Sequence, residues 1–351
     1  PMPSDRVLPA LLAELAHVPR EQITLINATG THRANTPEEL DGMLGPEIAR
    51  GYPIHQHDAW DQANLVHLGT TRFGHPVWVN RHFHEADVRI LTGFIEPHIF
   101  AGFSGGPKAV LPGISGFETI VANHGTQMLA HETAVWGHTE DNPIWLEIAE
   151  AAELARPNFL LNVTLNRHRQ LTGVFAGEWR QAHRQGTEYM RQVAMAPVKE
   201  PFDIVITTNS GYPLDINLYQ AVKGMSSAAQ IVKPGGAIVI AAECRDGIPD
   251  YGEYRRLIHE GGSVEGIMAL ISQPGFRCHD QWEAQLQAGI MRRAEVHVYS
   301  DYLTDEQLTG MLFTPCRDLA ATLAALQKRY GPRARICVLP EGPQTIPYIE
   351  A

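Results

Sequence analysis

The sequence predicts an α/β fold of two lobes, each a mainly parallel sheet covered by helices, with the active site in the cleft between them. Short apolar, β-prone runs alternate with helical stretches along the whole chain, and polar clusters containing glycine directly follow several of those runs. At 351 residues the chain is also long enough to build two cores of ordinary size. In such folds the chemistry gathers at the C-terminal ends of the strands.

The elements follow in order. Residues 7–15 form an apolar helix capped by Ser4 or Asp5, and residues 23–28 a short strand. After Gly30, the run Thr36-Pro37-Glu38-Glu39 reads as an N-cap, a proline in the first turn and acids at the positive helix end. Residues 87–94 form a buried strand, 117–122 and 143–154 helices, 159–165 a strand and 179–193 an amphipathic helix. The acidic stretch 147–153 reads as a solvated face. Residues 196–201, with two prolines and two charges, read as the linker closing a first lobe at 1–198. A second series then fills 201–330. It comprises a strand at 203–208, a helix at 217–230, and a strand at 237–242 entered by the turn Lys233-Pro234-Gly235-Gly236. Helices at 254–259 and 283–291, a strand at 296–299 and a helix at 319–329 complete it. A last strand occupies 334–339, and no internal repeat appears.

Composition narrows the function classes. Hydrophobic residues make up 44% and charged residues 19%, the balance of a globular protein, and no apolar run is long enough to span a bilayer. The formal charge of −11 argues against nucleic acid or an anionic membrane as partner, while leaving room for a small anion in a local cationic pocket. Cys244, Cys278, Cys316 and Cys337 form no CxxC pair, which fits a reducing, cytoplasmic setting and neither a disulfide framework nor a zinc site.

Four segments carry chemistry-bearing residues after apolar runs: residues 27–33, 96–108, 122–125 and 211–224. In the second and just beyond it, over residues 102–113, Gly102, Gly105, Gly106 and Gly113 accompany Ser104 and Lys108. Such a loop brings backbone amides to an anion with a lysine to meet it, or is a plain turn carrying a surface lysine. It matches neither the Walker A spacing nor GxGxxG. His32, His98 and His124, taken singly, read first as capping or hydrogen-bonded side chains. His82 and His84 alternate on a strand-like segment and, with His55 and His57, read as structural or surface residues.

Taken together, these segments resemble the nickel-dependent lactate racemase (LarA) family. The residues that carry the resemblance are ATGTHR at 28–33, HIFAGFSGGPKAVLPGI at 98–114, NHG at 123–125 and YQAVKG at 219–224, in that order. The resemblance implies a racemase or epimerase of 2-hydroxy carboxylic acids. It also implies a nickel-pincer nucleotide, a pyridinium mononucleotide whose thioamide and thiocarboxylate arms hold nickel. Lys108 matches the lysine tethered to that cofactor, and His124 the histidine that ligates nickel, a metal that imidazole suits. His32 and His98 match the two acid/base histidines, because imidazole both takes and returns a proton near neutrality. Ser104, Gly105 and Gly106 fall in the cofactor loop. Tyr219, Gln220, Lys223 and Trp282 match positions lining substrate and cofactor, Lys223 offering charge to a carboxylate. The implied reaction is proton-coupled hydride transfer through a planar 2-keto acid, which avoids deprotonating a very poor carbon acid. The implied partners are the small 2-hydroxy acid and, transiently, the cofactor-synthesis enzymes.

The resemblance also implies that residues 331–351, with the last strand, return to complete the first lobe. One departure stands out: the family's Asp-x-Thr-Arg-Pro motif is represented only by Pro1, so the chain reads as N-terminally truncated. Competing classes fit less well. A nicotinamide dehydrogenase would call for GxGxxG and a metal hydrolase for HExxH, and neither occurs. A non-catalytic protein of the same fold, carrying the nickel cofactor or binding hydroxy acids, would dispense with one acid/base histidine, yet His32 and His98 are both present.

Overall fold

A computed structural model describes residues 2–350; Pro1, on which the truncated-motif reading falls, lies outside the described residues. The chain divides into two compact units. The first runs through Glu96 and takes in Phe103–Asn123 and Pro143–Met190. The second takes Pro97–Gly102, His124–Asn142 and the chain from Arg191 onward. Among the described residues no helix is long and apolar enough to cross a membrane.

The first unit carries its strands in small sheets of mixed sense. β1 (Leu25–Asn27) pairs in parallel with β2 (Ile54–Gln56), while β3 (Leu65–Thr70) and β4 (Pro76–Asn80) form an antiparallel pair. β5 (Ile90–Phe94) lies parallel to β6 (Phe159–Leu165), and β7 (Leu171–Gly177) runs antiparallel on the far side of β6. The first helix, Ser4–Glu14, starts one turn earlier than its apolar pattern, and its N-cap is Pro3 with no side-chain cap, so neither Ser4 nor Asp5 caps it. Thr36 caps the helix Pro37–Leu44 with a complete capping box closed by Glu39.

Several expectations change here. His82 and His84 lie in the helical turn Arg81–Glu85, entered through an Asn80 cap, and not on a strand. The acidic helix is not merely solvated. Glu147 is buried in Pro143–Ala155 and accepts from Thr71 Oγ1 (2.6 Å) and Asn123 Nδ2 (2.9 Å), with His75 Nδ1 at 2.8 Å. A carboxylate is tolerated there because several partners replace its water.

The second unit is the parallel α/β half. Its main sheet has β9 (Phe202–Thr208), β10 (Val232–Ala241), β11 (Ala294–Tyr299), β12 (Thr314–Pro315) and β13 (Ile336–Leu339) in the order β12-β11-β10-β9-β13, every pairing parallel. The near-continuous apolar runs of β9 and β10 follow from that position, with Val205 and residues 237–240 fully buried. β13 pairs with β9 from Ile204↔Ile336 to Thr207↔Leu339, which overturns the expectation that the last strand returns to the first lobe. The expected linker is half strand: β8 (Met195–Val198) pairs in parallel with β14 (Ile346–Ile349). Both corrections have one cause. An apolar run specifies a strand, but its neighbour in the sheet depends on crossovers that the pattern does not encode.

Candidate functional site

The expected site residues divide between the two units. In the first, the glycine-rich loop leaves β5 and folds back on its end. Ser104 Oγ donates to Phe94 O (3.1 Å) and accepts from Glu96 N (2.9 Å), so this hydroxyl shapes the loop. Gly105 and Gly106 both take positive φ, +75° and +54°, where glycine alone is unstrained. A Cβ at Gly105 would lie 2.6 Å from Asn162 Oδ1, and one at Gly106 2.3 Å from the His183 ring. Asn162, fully buried on β6, accepts from Gly106 N at 2.7 Å. His183 is buried in the helix Trp179–Ala194, stacks on Trp145 at 4.8 Å and lies 2.9 Å through Nε2 from Ser104 O. Burial pushes its imidazole down to about 4, so it is a neutral donor to that carbonyl near pH 7.

Lys108 sits in the single turn Gly106–Ala109 that follows. Its carbonyl accepts from Gly113 N (3.1 Å), and Gly113 O accepts from Gly30 N (2.9 Å). Those two bonds stitch the loop of Lys108 to the loop of His32, whose amide bonds to Thr29 O (3.0 Å). His57 supports the same junction: it lies 2.9 Å through Nε2 from Ser115 O, and its carbonyl accepts from Thr29 Oγ1 (2.7 Å). His57 is therefore structural, as expected. Beyond the exposed His32, Arg33 forks onto Glu39 (2.8 and 2.7 Å), and Asn27 and Gln56 at the ends of β1 and β2 clamp Asn35. The Arg33 guanidinium, followed by the Thr36 amide, holds the Glu39 carboxyl down to about 2. Gln56, Asn162 and His183 carry no signal in sequence beyond their residue type, and reading along the chain missed all three.

In the second unit the remaining residues form a row of rings. Ala101 N donates to His98 Nδ1 (3.2 Å), which orients the ring and places the proton of the neutral imidazole on Nε2. Phe100 meets His98 edge-on at 4.7 Å and His124 edge-on at 4.9 Å. His124 in turn meets Trp282 at 5.3 Å. Trp282 Nε1 donates to the Tyr219 hydroxyl at 3.1 Å. Gln285 Nε2 reaches Thr126 O (2.8 Å), tying the segment after His124 to the helix Gln281–Arg293.

The helix Leu218–Ala229 follows β9, and Asn217 caps it by accepting from Gln220 N (3.0 Å). Its register puts Tyr219, Gln220 and Lys223 on adjacent turns, and Lys223 Nζ donates to Gln220 Oε1 (2.7 Å). Gly224 lets this helix close on β9: a Cβ there would lie 2.3 Å from Thr208 O. Next to Trp282, Glu283 is buried, and burial pushes its carboxyl up to about 8 against the opposing pull of Lys223. Sequence reading missed Phe100 and Glu283, although Phe100 lies within a quoted motif and Glu283 directly follows Trp282. Among the described residues no three His, Cys, Asp or Glu side chains form a group able to hold a metal.

Comparison with known proteins places these residues in a family context. Residues 1–137 match the lactate racemase N-terminal domain, and residues 198–346 the lactate racemase C-terminal domain. Lactate racemase of Thermoanaerobacterium thermosaccharolyticum is 37% identical over 349 residues, covering 99% of this chain and 82% of the relative. Lactate racemase of Lactiplantibacillus plantarum is 37% identical over 344 residues, covering 97% and 81%. The solved apoprotein of the first relative superposes with a TM-score of 0.94 at 35% identity, over 100% of this chain and 84% of that one. A Thermotoga maritima protein shares the fold at TM-score 0.72 and 20% identity, over 96% and 87%.

Proposed function

Because the chain belongs to the lactate racemase family, we propose that it racemises or epimerises a small 2-hydroxy carboxylic acid, with a nickel-pincer nucleotide tethered to Lys108. The observation that carries this reading is the ring row of the second unit, where one aromatic side chain, Phe100, contacts both the acid/base candidate His98 and the nickel-ligand candidate His124.

The residues present fit the cofactor. Gly105 and Gly106 let the loop close on Asn162 and His183, and that packing fixes the turn that presents Lys108. His124 would give a nickel ion its imidazole, a ligand this metal accepts, and the pincer would bring the remaining donors. When bound, this group supplies a reversible acceptor for the hydrogen on the substrate's C2.

In this proposal the protein's own residues have the following parts. His98 holds the C2 oxygen through the nitrogen not occupied by Ala101 N, and exchanges its proton as the carbon becomes planar. His32, carried on the loop bonded to the Lys108 loop, is the second acid/base residue of the proposal. Lys223, steadied by Gln220, meets the carboxylate. Phe100 and Trp282 flank His124 with ring surface that limits water, and the Tyr219 hydroxyl holds Trp282 in place. The test is a stereochemical screen: cofactor-loaded full-length protein is incubated with single enantiomers of 2-hydroxy acids, lactate included, and the products are resolved by chiral chromatography. Appearance of the other enantiomer, or of the C2 epimer, from at least one acid is expected. A wholly inert panel would sink the reading.

A further inference from the structure

Glu283 has no role in the reaction described so far, yet its setting is unusual. It lies in the first turn of Gln281–Arg293 with 4% of its surface exposed, and its Oε1 is buried without a hydrogen-bond partner. A buried carboxyl left that way is costly unless its charge is removed. The charged groups acting on it are the Lys223 ammonium and the buried Asp280 carboxyl just before its helix. Tyr219 and Tyr254 also feel its field, and burial holds both as neutral phenols. Tyr219 accepts from Trp282, and Tyr254 Oη donates to Gln287 Oε1. The other charges around the helix are paired or exposed: His279 Nε2 lies 3.5 Å from Asp280 Oδ1, Arg256 on Tyr254–Gly261 pairs with Glu253 and Glu260, Arg255, His259 and Glu265 are exposed, Lys233 of β10 pairs with Asp203, and His297 lies 3.2 Å from Glu295 on β11.

The charges of this cluster then decide the outcome. With Asp280 and Glu283 both ionised, Lys223 is outnumbered, and a substrate carboxylate would enter a cluster already negative. With a proton on Glu283, Lys223 balances Asp280 and the anion enters a neutral cluster. We propose that Glu283 is a positioning residue of the substrate site, a carboxyl that must keep its proton for Lys223 to hold the carboxylate of the 2-hydroxy acid. This rests on Lys223 meeting that carboxylate. Anion binding and protonation of Glu283 are then linked, and the upward push on this carboxyl, to about 8, sets the range where the linkage shows.

The experiment uses the cofactor-loaded protein, with single enantiomers of lactate for the kinetics and racemic lactate, which yields no net reaction heat, for the calorimetry. The pH dependence of KM is measured for wild type, Glu283→Gln and Lys223→Gln. Calorimetry in two buffers of different ionisation enthalpy counts protons taken up on binding. Wild type should show KM rising toward tenfold per pH unit above about pH 8, with proton uptake on binding there, while kcat does not follow that rise. Glu283→Gln, which keeps the shape without the titration, should hold KM flat over the same range with no such uptake. A separate carbon-13 titration of the Glu283 carboxyl, assigned with the glutamine variant and made without cofactor, should give a midpoint near 8. A midpoint in the ordinary carboxylate range overturns the proposal, as does a KM slope that persists in Glu283→Gln. If that variant does not fold, absence of proton uptake by wild type overturns it equally. Lys223→Gln separates the two readings. An unchanged KM there removes the carboxylate role of Lys223, and the proposal with it; a raised KM with a persistent slope in Glu283→Gln refutes the Glu283 proposal alone.

Discussion

Gly106→Ala should destabilise the protein through a contact that a second substitution can relieve. The new Cβ would stand 2.3 Å from His183 Cδ2 and 2.6 Å from Cγ, far inside any real contact. The ring is held against retreat, being stacked on Trp145 at 4.8 Å and bonded to Ser104 O at 2.9 Å. Two costs add. A left-handed backbone at φ +54° costs alanine about 1–2 kcal/mol, and overpacking a tight site costs about 1–3 kcal/mol. The single variant should therefore lose about 2–5 kcal/mol, a large part of a typical stability of about 5–15 kcal/mol. His183→Ala removes the obstructing ring, so the overpacking part should vanish in the double variant. Urea unfolding followed by circular dichroism, with equal m-values as the check on comparability, gives the cycle. The expected coupling is about 1–3 kcal/mol in favour of the double variant. Single effects that add within about 0.5 kcal/mol would show that the ring does not press on Gly106, and would refute the packing account of this loop.

His183 also predicts a pH dependence. Its folded value near 4 lies below the ordinary 6.5, so the unfolded chain binds the extra proton between those values. The stabilising contribution is complete above pH 6.5 and is lost as pH falls toward 4, on the order of 3 kcal/mol in all; His183→Phe should flatten that limb in urea titrations at fixed pH. Glu39, held near 2 chiefly by Arg33, contributes above its ordinary value of 4.5 and loses that contribution as pH falls toward 2. Thermal unfolding across that acid range should be less steep in Glu39→Gln. His32→Ala and His98→Ala should each abolish racemisation in the full-length, cofactor-loaded protein, measured by chiral analysis of deuterium-labelled 2-hydroxy acid. Unchanged racemisation in either would show that the pair is misassigned.

Much of this was legible in residue order because local chemistry fixed it. The Thr36 cap with Pro37 in its first turn, the helix after β9 and the apolar runs of β9 and β11 each satisfy a short-range physical demand that the sequence displays. What was not legible depends on partners distant in sequence. β13 joins β9 across some 130 residues, and Glu147 is buried because Thr71, His75 and Asn123 converge on it. His183 looks like one polar residue on an amphipathic helix until the loop at Gly106 presses against its ring. The interleaving of Pro97–Gly102 and His124–Asn142 into the second unit is of the same kind, since neither stretch has a composition that distinguishes it from its flanks. At the candidate site, motif residues stood out in the sequence because they carry charge or imidazole. Phe100 was passed over because an apolar ring in an apolar run reads as core, and its contacts with His98 and His124 show only in three dimensions.

The central claim is the covalent role of Lys108, and intact mass spectrometry addresses it most directly. An ordinary phosphate-binding lysine makes only a reversible ion pair, whereas a tethered cofactor survives denaturation. Full-length protein produced together with the cofactor-synthesis enzymes and nickel should carry an added mass of the nucleotide's size. Peptide mapping should place it on Lys108, and Lys108→Ala should lose both the adduct and the near-visible absorbance of the nickel–sulfur group. His124→Ala should keep the organic adduct while holding nickel less firmly. A full-length protein that racemises a 2-hydroxy acid with Lys108 unmodified would contradict the account, even with the fold and the family intact.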